Sequence, residues 1–251
     1  LPLALAGRRR HKARVADRPI LYRHAVTTRI WHWLTAISVI VLLGSGLMIL
    51  NAHGQLYWGE YGANYDRPWF ALVWFFDDAR VPGWLTIPSR YNLALARRWH
   101  LFFALVLAFA LLAFMIASLI NRHFQRDLRV RASELRAGHL IADARAHARL
   151  EFHDPDNPRA YNIFQKLAYV AVIFILLPLV ILTGLAMSPG MNAAWPWLLD
   201  IFGGRQSARS IHFIVAMALA GFIVIHLALV ILAGPLNEVR SMITGKWRVP
   251  Q

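Results

Sequence analysis

The chain has 251 residues, 58% of them hydrophobic, and a formal net charge of +14. An apolar fraction this high, bunched into long runs, excludes an ordinary soluble domain. The Lys and Arg residues lie between the apolar runs rather than along one periodic face, so the charge speaks for membrane topology and against a nucleic-acid partner. The sequence contains no cysteine, which excludes disulfides, thiolate-held iron–sulfur clusters and thioether-linked haem. Histidine is left to carry any metal centre.

Residues 1–29 hold eight Lys or Arg, including Arg8, Arg9 and Arg10. The apolar residues 1–6 are too short for the core of a signal peptide, so the segment reads as a mobile cytoplasmic arm without a cleavable signal. A first membrane span is predicted over residues 30–50, with Trp31 and Trp33 as interfacial anchors on either side of His32. Gly46 follows His32 by fourteen residues and so shares its helix face about 21 Å further along. It leaves room either for a flat macrocycle or for close helix packing. Residues 51–96 form a long loop rich in Tyr and Trp, and its apolar run 69–76 is too short to cross a bilayer. Loops of that length usually serve a function. Here it is docking of a partner protein or, more simply, a lid over the end of the bundle.

A second span is predicted over residues 98–120, with His100 near its start. Residues 121–165 carry eight Arg, and residues 132–150 read as a basic amphipathic helix on the lipid surface. His123, His139, His147 and His153 fall in this loop and read as solvated side chains. The third span, residues 166–187, contains Pro178 and Gly184 but no histidine. A short loop with Trp195 and Trp197 leads into the fourth span, residues 211–233, followed by the tail 234–251. The fold class is an all-α integral membrane four-helix bundle. Positive charge is concentrated in residues 1–29, the loop 121–165 and the tail, which puts both termini in the cytoplasm and the aromatic loop outside.

The fourth span organises the rest. His212 and His226 are fourteen residues apart, and at ~100° per residue fourteen steps fall only ~40° short of four turns. Both imidazoles therefore face one side of the helix, ~21 Å apart. Polar rings in hydrocarbon are costly unless they serve a partner. With alternating topology His100 lies at the outer level with His212, and His32 at the inner level with His226. Two pairs, one toward each surface, are what two bis-imidazole haems need, because haem brings its own four equatorial nitrogens. Zinc fits less well, since each pair offers two ligands with no carboxylate or cysteine nearby. Arg29, Arg97 and Arg209 precede His32, His100 and His212 by three residues each. Each lies one turn nearer the surface on a similar face, where it can pair with a haem propionate or serve as an ordinary interfacial arginine.

Four features of the sequence together resemble one family. They are Arg29-Ile30-Trp31-His32-Trp33, Arg97-Arg98-Trp99-His100, the spacing of His212 and His226, and Tyr161-Asn162-Ile163-Phe164-Gln165-Lys166. The family is that of the di-haem b-type cytochromes that serve as membrane subunits, such as the b-type cytochrome of nickel–iron hydrogenase and the gamma subunit of formate dehydrogenase. The resemblance covers residues 22–245. It implies two haems b between the helices and electron transfer, in the bacterial inner membrane, between the quinone pool and an oxidoreductase at the outer face. It also implies a quinone beside the inner haem, held by Asn162 and Gln165 with help from Lys166, its protons exchanging through Lys166 or His153. Read from the residues alone, Asn162 equally caps the third helix while Gln165 meets headgroups. The long first loop departs from both named subfamilies and is more similar to homologues that accompany an extracytoplasmic molybdopterin oxidoreductase. Two other functions stay open. One is a stand-alone oxidoreductase between quinone and a small external redox partner. The other is a haem-free transporter using the histidines as a proton or metal relay, which the lack of Asp and Glu within the spans disfavours.

Overall fold

The computed structural model describes residues 20–63, 65–121, 129–131, 133–148 and 162–248, without the side chains of 146–148. In chain order its elements are strand β1 (Ile20–Tyr22), helix α1 (Val26–Leu50), and strands β2 (Gln55–Leu56) and β3 (Phe70–Ala71). Helices α2 (Leu93–Ile120), α3 (Ala137–Ala148), α4 (Ile163–Met187), α5 (Pro189–Ala194), α6 (Trp197–Ile201), α7 (Arg205–Ala233) and α8 (Pro235–Thr244) follow, then strand β4 (Lys246–Arg248). The helices α1, α2, α4 and α7 are long and apolar enough to cross a membrane. Each begins several residues before the predicted span. Hydropathy marks where the chain enters hydrocarbon, whereas the helix continues through the headgroup layer, where Arg29, Arg97 and Arg209 are tolerated.

The bundle is two hairpins. Helix α1 packs along α2, and α4 packs along α7. A buried cluster of Val39, Leu107, Leu111, Ile173, Leu177 and Leu219 joins all four at mid-depth. On the opposite face of α2, Leu105, Phe109, Leu112 and Ile116 form an exposed stripe at helical spacing. Such a stripe would be unfavourable in water and suits lipid. The chain is an integral membrane protein.

Local chemistry sets the helix ends. The Asn92 side chain accepts from the Leu95 N–H at 3.0 Å to start α2. Within α4, Pro178 supplies no N–H to the preceding turn, and residues Ala171–Leu176 are wound as a π-helix, the wider winding that absorbs such a gap. Helix α7 starts at Gly204, whose φ of 102° and contact with the Glu60 backbone leave no space for a side chain. With no capping side chain, its first N–H groups find another acceptor: Gln206 and Ser207 both donate to the Gly59 carbonyl at 3.0 Å.

Two further assemblies close the ends. At the cap end, residues 51–63 and 65–92 fold back onto the bundle. Asn51 exchanges two hydrogen bonds with the backbone of Val81, at 3.2 and 2.7 Å, and Leu50, Leu56, Leu72 and Val81 form a small core. Ser210 donates to the Tyr57 carbonyl at 2.5 Å and accepts from the Trp69 indole at 2.8 Å. At the clasp end, β1 pairs antiparallel with β4, Leu21 opposite Trp247. Trp247 is fully buried, donates to Glu238 at 2.8 Å, and lies under the Arg23 guanidinium at 4.6 Å. Of the predicted arm 1–29, Ile20–Tyr22 form β1 because β4 offers a strand edge and Trp247 a ring to cover, and Val26 begins α1. Residues 1–19, His123 and His153 lie outside the described residues. Within the predicted surface helix 132–150, residues 137–148 are helical as α3, with His139 on it exposed.

Candidate functional site

Each of the four histidines sits on a membrane-crossing helix: His32 on α1, His100 on α2, His212 and His226 on α7. They meet in two pairs. The His100 and His212 ring centres are 6.2 Å apart with planes inclined by 57°, and those of His32 and His226 are 6.4 Å apart at 56°. Each pair joins one hairpin to the other. A metal–imidazole bond is ~2 Å long and a ring nitrogen lies ~1 Å from the ring centre, so two imidazoles on opposite sides of one metal stand about 6 Å apart, centre to centre. Both pairs match. Among the described residues no three His, Asp or Glu side chains gather to hold a bare metal ion. The pairs therefore suit a metal that arrives with its own equatorial ligands, as iron in haem does.

The cap-end pair is built twice over by the same device. Ser45 Oγ lies 3.0 Å from His100 Nδ1, and the imidazole edge rests on Gly46, where an added Cβ would stand 3.4 Å from Cε1. Thr183 Oγ1 lies 3.0 Å from His212 Nδ1, and that ring rests on Gly184 at the same 3.4 Å. The Ser45 and Thr183 hydroxyls donate to the carbonyls of Val41 and Leu179, at 2.6 and 2.7 Å. With each hydroxyl hydrogen so used, Nδ1 must be the donor and Nε2 keeps its lone pair for a metal. Gly46 thus belongs to the cap-end pair, as its offset from His32 implies. Ser45, Thr183 and the role of Gly184 were not legible beforehand. The one available signal was a hydroxyl–glycine dipeptide in both spans that precede a histidine-bearing helix.

The clasp-end pair is supported differently. His32 Nδ1 is buried and has no hydrogen-bond partner among the described residues. Trp33 meets the His32 ring edge-on at 5.3 Å, and Phe222 stacks on His226 at 5.7 Å.

The three arginines divide. Arg209 donates to the His53 and Gln55 carbonyls and so pins the cap; burial, helped by that cation, lowers the pKa of His53. Arg29 donates to the Ile243 carbonyl in the clasp, its Nε buried with no partner among the described residues. Arg97 is exposed and makes no hydrogen bond among the described residues. At the start of α4, Asn162 Oδ1 accepts from the Gln165 N–H at 2.9 Å and Gln165 Oε1 from the Asn162 N–H at 3.4 Å. This is a reciprocal capping box. Lys166 pairs with Glu134 at 2.6 Å.

A four-span bundle with imidazole pairs at metal-bridging separation defines a membrane cytochrome of the b type. Residues 23–245 match the family model described as prokaryotic cytochrome b561, and the chain belongs to that family. It is a haem-binding electron-transfer protein of the prokaryotic membrane. A relative in Azospira oryzae, provisionally named protein-methionine-sulfoxide reductase subunit YedZ1, is 26% identical over 227 residues, covering 83% of this chain and 90% of its own. No solved structure matches the chain.

Proposed function

We propose that the chain is a di-haem cytochrome b subunit that links a quinone at the clasp end to a partner oxidoreductase at the cap end. The observation that carries this is the pair of near-equal ring separations, 6.2 and 6.4 Å, each bridging the two hairpins. His100 with His212, and His32 with His226, hold the two haems; each haem, when bound, supplies a reversible one-electron centre. The chain's own residues orient the imidazoles, and the mid-depth cluster around Leu107 and Leu219 keeps water from the space between the sites. Arg97, Arg29 and Arg209 stand one turn toward water from His100, His32 and His212, within the reach of propionates.

Both termini lie in the cytoplasm, by the distribution of Lys and Arg. At the cap end Tyr61, Tyr65 and Trp84 are largely exposed, a surface for the partner. The relative's name, as a subunit of a reductase, supports an oxidoreductase partner, and the similarity of the long loop to homologues that accompany a molybdopterin oxidoreductase favours that kind. At the clasp end the capping box uses the side-chain oxygens of Asn162 and Gln165. Hydrogen bonds to a quinone carbonyl therefore come from their amide nitrogens, with the Lys166 ammonium next to them.

The test is a haem-to-protein ratio and a reduced-minus-oxidised spectrum on the purified chain, with quinol as reductant. The expected result is two low-spin b haems reduced by quinol. His212→Ala should remove one spectral component and His32→Ala the other. A chain without haem, or one that loses both components in every variant, would sink the proposal.

A further inference from the structure

The cap-end histidines carry a feature that ligation alone does not need. Ser45 and Gly46 on α1 face His100 on α2; Thr183 and Gly184 on α4 face His212 on α7. In both hairpins the hydroxyl stands 3.0 Å from Nδ1 and the ring rests on the glycine, where an added Cβ would already be in contact with Cε1 at 3.4 Å. A Ser or Thr inside a helix ordinarily bonds its own carbonyl four residues back. That habit accounts for the bonds to Val41 and Leu179 but not for the second contact, made identically to two histidines on other helices. The two hydroxyls are held alike in a further respect, since they also lie 3.3 and 3.2 Å from the Leu42 and Val180 carbonyls. Among the described residues the clasp-end pair has no counterpart: His32 Nδ1 is buried with no partner there, as is the Thr35 hydroxyl one turn on.

We propose that Ser45 and Thr183 are positioning residues that tune the cap-end haem, holding its reduction potential below the value that unassisted imidazoles would give. The inference rests on the di-haem reading. An acceptor on Nδ1–H makes Nε2 a stronger donor to the metal, and a more basic ligand favours the oxidised iron over the reduced. Because the two hydroxyls act on opposite ligands of one haem, their effects add. The clasp-end haem, whose His32 lacks such an acceptor, is left outside this control. The hydroxyls therefore bias a shared electron away from the cap end and toward the clasp end.

The test is a redox titration of the purified full-length chain, followed in the visible band, with the two components assigned from the His212→Ala and His32→Ala variants. Thr183→Val keeps the side-chain shape and removes the acceptor; Thr183→Ser keeps the acceptor. Ser45→Ala removes the other hydroxyl. The expected result is a more positive cap-end midpoint in Thr183→Val and in Ser45→Ala, a larger shift in the double variant, and an unmoved clasp-end midpoint. Thr183→Ser should titrate as the wild type. Loss of the cap-end haem in Thr183→Val but not in Thr183→Ser supports the same role. Unmoved midpoints, equal shifts of both components, or the same behaviour in Thr183→Val and Thr183→Ser would overturn it and leave the di-haem reading standing. Absence of haem from the wild type would instead remove the reading on which it rests.

Discussion

The two histidine pairs have nearly the same ring separation, yet they are held by different means. At the cap end both imidazoles are fixed by hydroxyls and seated on glycines. Above them lies a plug whose loop carbonyls accept from Arg209 and whose Gly59 donates to Ser207 at 2.7 Å. At the clasp end the rings meet aromatic neighbours, and the closure is made by the two ends of the chain around Trp247. Hydrogen bonds to a ring nitrogen fix its tautomer and direction; aromatic contact fixes neither. One geometry can thus be reached by a rigid and by an adaptable support, and the two sites should respond to different damage.

The largest expected effect comes from the seats. An alanine at Gly46 or Gly184 meets the imidazole at ordinary contact distance and should leave both haems in place. A leucine has nowhere to put its branched end without pushing the ring aside. Gly184→Leu and Gly46→Leu should each lose the cap-end haem and keep the clasp-end haem, read as a halved haem-to-protein ratio. Retention of both haems in the leucine variants would break the comparison at its strongest point.

Damage to the other end should do the reverse. Trp247 is enclosed by Arg23 and Glu238, and the clasp reaches α1 through Trp33, whose indole donates to the Met242 carbonyl at 3.0 Å. Removing a buried Trp costs about 3–5 kcal/mol in a packed core. Trp247→Ala should lower the temperature at which the clasp-end haem is released while the cap-end haem holds to its wild-type temperature. Equal shifts of both release temperatures would mean that the clasp supports the bundle as a whole.

The four spans and their histidines were legible because hydropathy and the helical repeat act on the same residues, and a fourteen-residue offset leaves little freedom in where two side chains point. The supports were not. Ser45 and Thr183 look like any hydroxyl satisfied within its own helix, and they are that as well. The cap depends on Gly59 meeting Ser207 and Trp69 meeting Ser210, between the first long loop and the start of α7, contacts that no local pattern announces. Arg209, spaced for a propionate, also donates to loop carbonyls that sequence spacing cannot foresee. Residues 20–22 read as part of a charged arm because their partner strand lies at the far end of the chain. The amides of Asn162 and Gln165 were legible as a cap or as a ligand set, and the capping bonds are present.

The smallest expected effect lies at the start of α4, where Glu134 and Lys166 are paired at 2.6 Å and the Ile163 N–H donates to Asp143 at 3.2 Å. Burial alone would push the Glu134 carboxyl up, but the Arg131 N–H and the Lys166 ammonium outweigh it and hold the carboxyl below its usual range. A carboxyl lowered on folding contributes stability that is present above its unfolded value, near 4.5, and is lost as the pH falls through the lowered one. Between neutral pH and about pH 5 the pair should therefore be intact, and below that range α4 should fray at its first turn. The pair is worth under about 1 kcal/mol, so the fraying should be local. Amide exchange at Gln165 and Lys166 should accelerate in acid in the wild type. In Glu134→Gln it should already be fast at neutral pH and no longer respond to acid in that range. The cap-end haem spectrum should stay constant throughout. Acid-insensitive exchange in the wild type would show that the capping box alone holds this turn, and an acid-sensitive cap-end spectrum would show that the two ends are not independent.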